Sequence, residues 1–145
     1  MLNLGLVSLH VGMERHCENA HGVAEYLQKH PKIAWVRYSG LPGDPYYAVA
    51  QKYLPKGSCG VVSFGVKGGR QAAETFMGRL RLGAIATHVA DARTCCLHPA
   101  SSTHRQMNDA ELEAAGVSAD LVRLSVGLES KEDLIADLEQ ALSAV

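Results

Sequence analysis

One arginine inside an otherwise apolar strand pattern is the first residue of this sequence able to do chemistry. Residues 121–128 read Leu-Val-Arg-Leu-Ser-Val-Gly-Leu. Strand side chains alternate between faces. Val122, Leu124, Val126 and Leu128 therefore make a core face, and Leu121, Arg123, Ser125 and Gly127 an open, polar one. A fixed guanidinium there suits a carboxylate, which it can hold through two parallel hydrogen bonds. The same arginine could equally pair with a structural carboxylate, and the strand alone leaves both readings open. A second stretch, residues 91–105, reads Asp-Ala-Arg-Thr-Cys-Cys-Leu-His-Pro-Ala-Ser-Ser-Thr-His-Arg. Its proline and small residues suit a backbone that passes close to a ligand.

Other constellations carry less. Cys17, Cys59, Cys95 and Cys96 lack paired zinc-type spacing and read as small buried hydrophobes. His16 and His21 are five apart and share no helix face, so no metal site follows. Lys67-Gly68-Gly69-Arg70 could cradle a phosphate but lacks P-loop spacing, and reads as a strand-to-helix turn. Tyr46-Tyr47 could be a ligand platform or, more simply, packing tyrosines. No nucleophile elbow and no helical His-x-x-x-His with a glutamate is present.

These residues must be positioned by one domain. The chain has 145 residues, 47% hydrophobic and 20% charged, enough for a core of its own. A formal charge of −1 leaves no electrostatic footprint for nucleic acid or anionic lipid. No stretch approaches the roughly 18 apolar residues of a membrane helix, and no signal peptide is visible, so the expected compartment is the cytoplasm.

Leu2, Leu6, Leu9, Met13, Cys17, Ala20, Ala24 and Leu27 fall at helical spacing, which predicts one long helix to residue 30. It begins mid-pattern at Leu2, as though something preceded it, and Gly5, Gly12 and Gly22 make it dependent on packing. Strands are expected over 33–38, with Ala34, Val36 and Tyr38 on one face, and over 59–66, 84–89 and 121–128. Helices are expected over 46–54, from Arg70 to Leu80, over 108–116 with Gly116 at the αL position, and from the Ser130 cap onward. Three of the strands set bulky apolar groups on one face and small or polar groups on the other. The first face is for the domain's own helices, the second for a partner surface or a ligand.

Residues 98–106, followed by 121–129, resemble the C-terminal signature of the Cys/Met-metabolism family of pyridoxal-phosphate enzymes. The resemblance extends from Met13-Glu14-Arg15-His16-Cys17-Glu18-Asn19-Ala20 to the final helix and is nearest the O-acetylhomoserine sulfhydrylase branch. It matches only the small C-terminal domain of such enzymes. The fold this implies is an α/β (α+β) sandwich, the small C-terminal domain of fold-type I transferases. Its mainly antiparallel four-stranded sheet has helices packed on one face. Residues 1–30 would link to an absent N-terminal cofactor-binding domain, and residues 31–145 would recognise substrate.

By resemblance, Arg123 binds the α-carboxylate of an amino-acid substrate, Thr94 stands where the family has a serine whose backbone helps hold it, and Cys95 lines the site. The cofactor implied is pyridoxal phosphate, bound through a lysine of the absent domain. Lys29, Lys32, Lys52, Lys56, Lys67 and Lys131 stand in no such motif, so this chain alone is expected to bind no cofactor, to have no catalytic residue of its own and to be inactive by itself. The implied reaction is a γ-replacement of acetate by sulfide or a thiol, in a homo-oligomer. Cystathionine γ-synthase, methionine γ-lyase and a stand-alone carboxylate-binding module remain as alternatives.

Overall fold

In the computed structural model, which describes residues 2–145, α1 (Leu2–Val7) and α2 (Leu9–Lys29) lead into β1 (Ile33–Arg37). Then come α3 (Tyr47–Tyr53), β2 (Val61–Val66), α4 (Gly69–Arg79), β3 (Ala84–Ile85) and β4 (Cys95–Leu97). A short 3-10 turn (Pro99–Ser101), α5 (Asp109–Ala114), β5 (Leu121–Ser125) and α6 (Lys131–Leu142) complete the chain. The strands form one sheet in the order β1-β2-β5-β4-β3, antiparallel except for the parallel pair β3 and β4.

One face of this sheet carries the core. Val62, Phe64 and Val66 of β2, Val122 and Leu124 of β5, the following Val126, and Cys96 of β4 are buried there. Against them pack Ala20, Val23, Ala24 and Leu27 of α2, Phe76 and Met77 of α4, and Leu134, Leu138 and Leu142 of α6. Phe64 and Phe76 meet edge to face, with ring centroids 5.7 Å apart. Fully burying either ring is worth about 1.5–3 kcal/mol. The alternation read from the sequence for β2 and β5 is therefore the one that folds, and helices on one face follow from it.

Other expectations need correcting. The sheet has five strands, not four. Cys95–Leu97 is too short to show a period, yet pairing with β5 makes it a strand with all three residues buried. The strand expected over 84–89 shrinks to two residues, after which the chain crosses the open face, leaving Ile85 and Val89 exposed. Leu128 also leaves the core face, because β5 ends at Ser125. A register irregularity between Ile33 and Trp35 turns Ala34 outward, so Ile33, Val36 and Tyr38 face the core instead of Ala34, Val36 and Tyr38.

The first helix breaks at Ser8, which caps nothing with its side chain. Burial begins only at His16, and Leu6, Val7, Leu9 and Val11 are exposed, so the early turns lack the packing their glycines require. Leu2 was expected on the apolar stripe; its side chain lies outside the described residues. Tyr46 is largely exposed instead of packed in the core, while Cys17 and Cys59 are half-buried and only Cys95 and Cys96 are buried.

Local signals served elsewhere. Asn108 forms the full reciprocal cap of α5, and Gly116 takes φ +72°. Ser130 accepts from the Asp133 N–H at the start of α6. Gly68 and Gly69 both have positive φ, and their flanking cations serve the fold. Lys67 donates to the Pro31 carbonyl and Arg70 to the Ala100 carbonyl and Asp109, which is the plain turn expected. On α6, the buried Asp137 accepts the N–H groups of Arg81, Leu82 and Gly83 at 2.9, 2.9 and 3.0 Å, fixing the turn that leads into β3.

Candidate functional site

On the face opposite the core, β5 places Arg123 between Ser63 of β2 and Leu97 of β4. Ser125 lies two residues on, opposite Cys95. The sheet thus brings Arg123 and Cys95 onto one face of adjacent strands, and Thr94 immediately precedes Cys95. All three residues singled out in the sequence converge.

Residues 86–93 fold over this face. Arg123 Nη2 donates to the Thr87 carbonyl at 2.9 Å, and the Ala90 N–H donates to Ser125 Oγ at 3.0 Å. Ala90 has φ 59°, a left-handed conformation that costs a residue with a Cβ. Arg123 carries five N–H donors. Its Nε is buried and has no hydrogen-bond partner among the described residues. An orphaned donor on a guanidinium costs free energy unless an acceptor arrives.

Thr94 is buried and fully engaged. Its N–H donates to Glu129 Oε1 at 2.7 Å, its hydroxyl donates to Oε2 at 2.8 Å, and its oxygen accepts the Gly127 N–H at 2.9 Å. The Leu128 N–H donates to the Ala92 carbonyl. Gly127 is required by this approach: a Cβ there would lie 2.5 Å from Thr94 N and 2.6 Å from Ala92 O. Helix α2 grips the same turn from behind. The His16 Nδ1–H donates to the Val126 carbonyl, and the Asn19 amide donates to those of Gly127 and Glu129, both at 2.9 Å.

Cys95 presents its thiol toward the Arg93 carbonyl at 3.6 Å, and burial pushes the thiol's pKa up. Below it in the core, burial pushes Cys96 to about 12. His98 is a shaping residue. Its Nε2–H donates to the Ala119 carbonyl at 2.9 Å and its Nδ1 accepts from Ser101 at 2.7 Å, so neither nitrogen is free for proton transfer.

Sequence reasoning assigned no role to Glu129, Gly127, His16 or Asn19. The signal for the last two is polar residues on the buried stripe of α2, at positions that share it with Ala20 and Val23.

The lysines do not make a Schiff-base site. Lys29, Lys52, Lys56 and Lys67 are exposed, and the half-buried Lys32 and Lys131 turn to the Leu142 carbonyl and to Glu18. The residues of this chain therefore do not fit pyridoxal phosphate by themselves.

Comparison with known proteins places this geometry in context. A family model described as Cys/Met metabolism PLP-dependent enzyme matches residues 1–143. The O-acetyl-L-homoserine sulfhydrylase of Leptospira meyeri is 47% identical over 142 residues, 97% of this chain and 32% of that protein. An L-methionine gamma-lyase of Fusobacterium nucleatum subsp. polymorphum is 46% identical over 141 residues, 97% of this chain and 35% of its own. A Campylobacter jejuni structure, named as a candidate O-acetylhomoserine (thiol)-lyase, superposes with a TM-score of 0.90 at 38% identity. It carries a pyridoxyl-lysine monophosphate, and the match covers 97% of this chain and 33% of that one. The chain spans about a third of the length of these relatives. With its sheet, its site-bearing loop and residues 1–143 all matched, the chain belongs to the Cys/Met metabolism family of PLP-dependent enzymes.

Proposed function

We propose that this chain is the C-terminal substrate-recognition domain of an O-acetylhomoserine sulfhydrylase, a cytoplasmic homo-oligomer. In that enzyme sulfide or a thiol replaces the acetate of O-acetylhomoserine. Pyridoxal phosphate, held by the remaining two-thirds of such an enzyme, supplies the electron sink. Residues 1–30 would run from that part into this one. Arg123 binds the substrate α-carboxylate, and the observation that supports this is its buried Nε, a donor left without an acceptor among the described residues. Holding the carboxylate fixes Cα and removes part of the entropic barrier. Cys95 walls the site. Thr94 offers its N–H to the same carboxylate, a contact that requires the substrate to exchange with Glu129, which holds that N–H here.

The 46% identity to a methionine γ-lyase favours one second reading, an elimination that needs no added nucleophile. The test is the whole enzyme containing this segment, loaded with cofactor. A sulfhydrylase releases acetate and forms homocysteine only when sulfide is added; a lyase releases methanethiol from methionine without it. Arg123→Lys should lower kcat/KM by roughly 10²–10³-fold, the loss of one bidentate carboxylate contact. An unchanged kcat/KM would remove Arg123 from the site whichever reaction is found.

A further inference from the structure

The loop that crosses the open face gathers three metal-ligating side chains, two of which the carboxylate site does not use and the third of which, Cys95, only walls it. His88, Asp91 and Cys95 each offer a donor atom, and these atoms all lie within 4.8 Å of one another. His88 Nδ1 is 3.6 Å from Asp91 Oδ2. Asp91 Oδ1 is occupied, accepting the Arg93 N–H at 3.0 Å with the Arg93 guanidinium 3.7 Å away, which leaves Oδ2 for the cluster. The thiol is held by the Arg93 carbonyl alone among the described residues, through a weak contact. A surface ion pair explains His88 beside Asp91. It does not explain a buried thiol converging on the same point.

The backbone brings these groups together. His88 and Asp91 flank the left-handed Ala90, which Ser125 anchors to β5, and Cys95 comes from β4, whose partner residue is that same Ser125. We propose that His88, Asp91 and Cys95 bind one thiophilic divalent cation of the zinc class, with water in the fourth position. An imidazole, a thiolate and a carboxylate suit zinc or cobalt and do not suit calcium or magnesium. Tetrahedral zinc sets such donors roughly 3.3–3.6 Å apart, so the cluster closes by about 1 Å at its widest, a movement the exposed His88 can supply. On binding, the Cys95 sulfur–hydrogen bond breaks, its proton leaves to solvent, and the sulfur lone pair forms the metal bond in its place. Asp91 keeps its Arg93 contacts through Oδ1. The inference does not rest on the reaction proposed above.

The test is a cobalt titration of the purified 145-residue chain. Expected is one cobalt per chain, with a thiolate-to-cobalt charge-transfer band in the near ultraviolet that zinc abolishes. Cys95→Ser removes the band, and His88→Ala and Asp91→Asn each weaken binding at least tenfold. Both of the latter change exposed or half-exposed side chains and leave the core intact. The proposal is overturned if stoichiometric cobalt gives no band, or if affinity is unchanged in His88→Ala and Asp91→Asn. It is overturned equally if the band survives Cys95→Ser and disappears with Cys17→Ser or Cys59→Ser.

Discussion

The carboxylate of Asp137 meets three consecutive backbone N–H groups, those of Arg81, Leu82 and Gly83, and the Gln140 amide. Burial alone would raise its pKa, but these donors outweigh burial and hold it below the usual aspartate value. The charged form therefore favours the fold. Its contribution is complete above the unfolded value of about 4 and is lost as the pH falls through the lower, folded one. Asp137→Asn should cost about 2–3 kcal/mol at pH 7, lowering Tm by roughly 5–10 °C. The gap to the unsubstituted chain should narrow in thermal melts below pH 4; a gap that stays constant from pH 7 to pH 3 would show that the charge contributes nothing. Arg123 could be found in the sequence because a cation stands out in an apolar strand. Asp137 and Glu129 could not, because their partners are backbone groups and a threonine far along the chain, and side-chain spacing carries no trace of them.

The turn after β5 binds the open face to the rest of the domain. Glu129 holds Thr94 in front, His16 and Asn19 of α2 hold the turn's carbonyls behind, and Gly127 lets the 92–94 backbone come close. Two of the atoms a new Cβ would meet, Thr94 N and Ala92 O, belong to backbone and cannot swing aside as the Glu129 carboxylate could. Gly127→Ala should destabilise the chain by about 1–3 kcal/mol, the usual cost of overpacking, and shift the amide resonances of Ala92 to Cys95. Unchanged urea midpoints and amide shifts would count against this packing. Elements with a long period were legible: β2, β5 and the buried part of α2 appear where their apolar residues recur. β4 and the shortened β3 were not, since three residues and two residues carry no period and exist through pairing with neighbours.

The assembled chain is well packed on one side and sparsely covered at its N-terminal helices. Leu9→Glu with Val11→Glu should change stability by no more than about 0.5 kcal/mol, as for other exposed positions. The same pair should reduce light scattering at high protein concentration, because it breaks up an exposed apolar stripe. A loss above 1 kcal/mol would mean that these side chains are packed after all. The order of strands was beyond the sequence pattern, which shows which face each strand buries but not which neighbour it takes. That order bears on how the chain is made. The strand at the centre of the sheet, β5, is the last to be translated, and β2, β4 and the turn that holds Thr94 all depend on it. A ribosome working at about 5–20 residues per second delivers Val62, Phe64 and Val66 several seconds before their partner strand. Throughout that interval β2 has β1, α2 and then α4 to pack on, but its other edge stays unpaired, and the sheet closes only once Ser125 has been made.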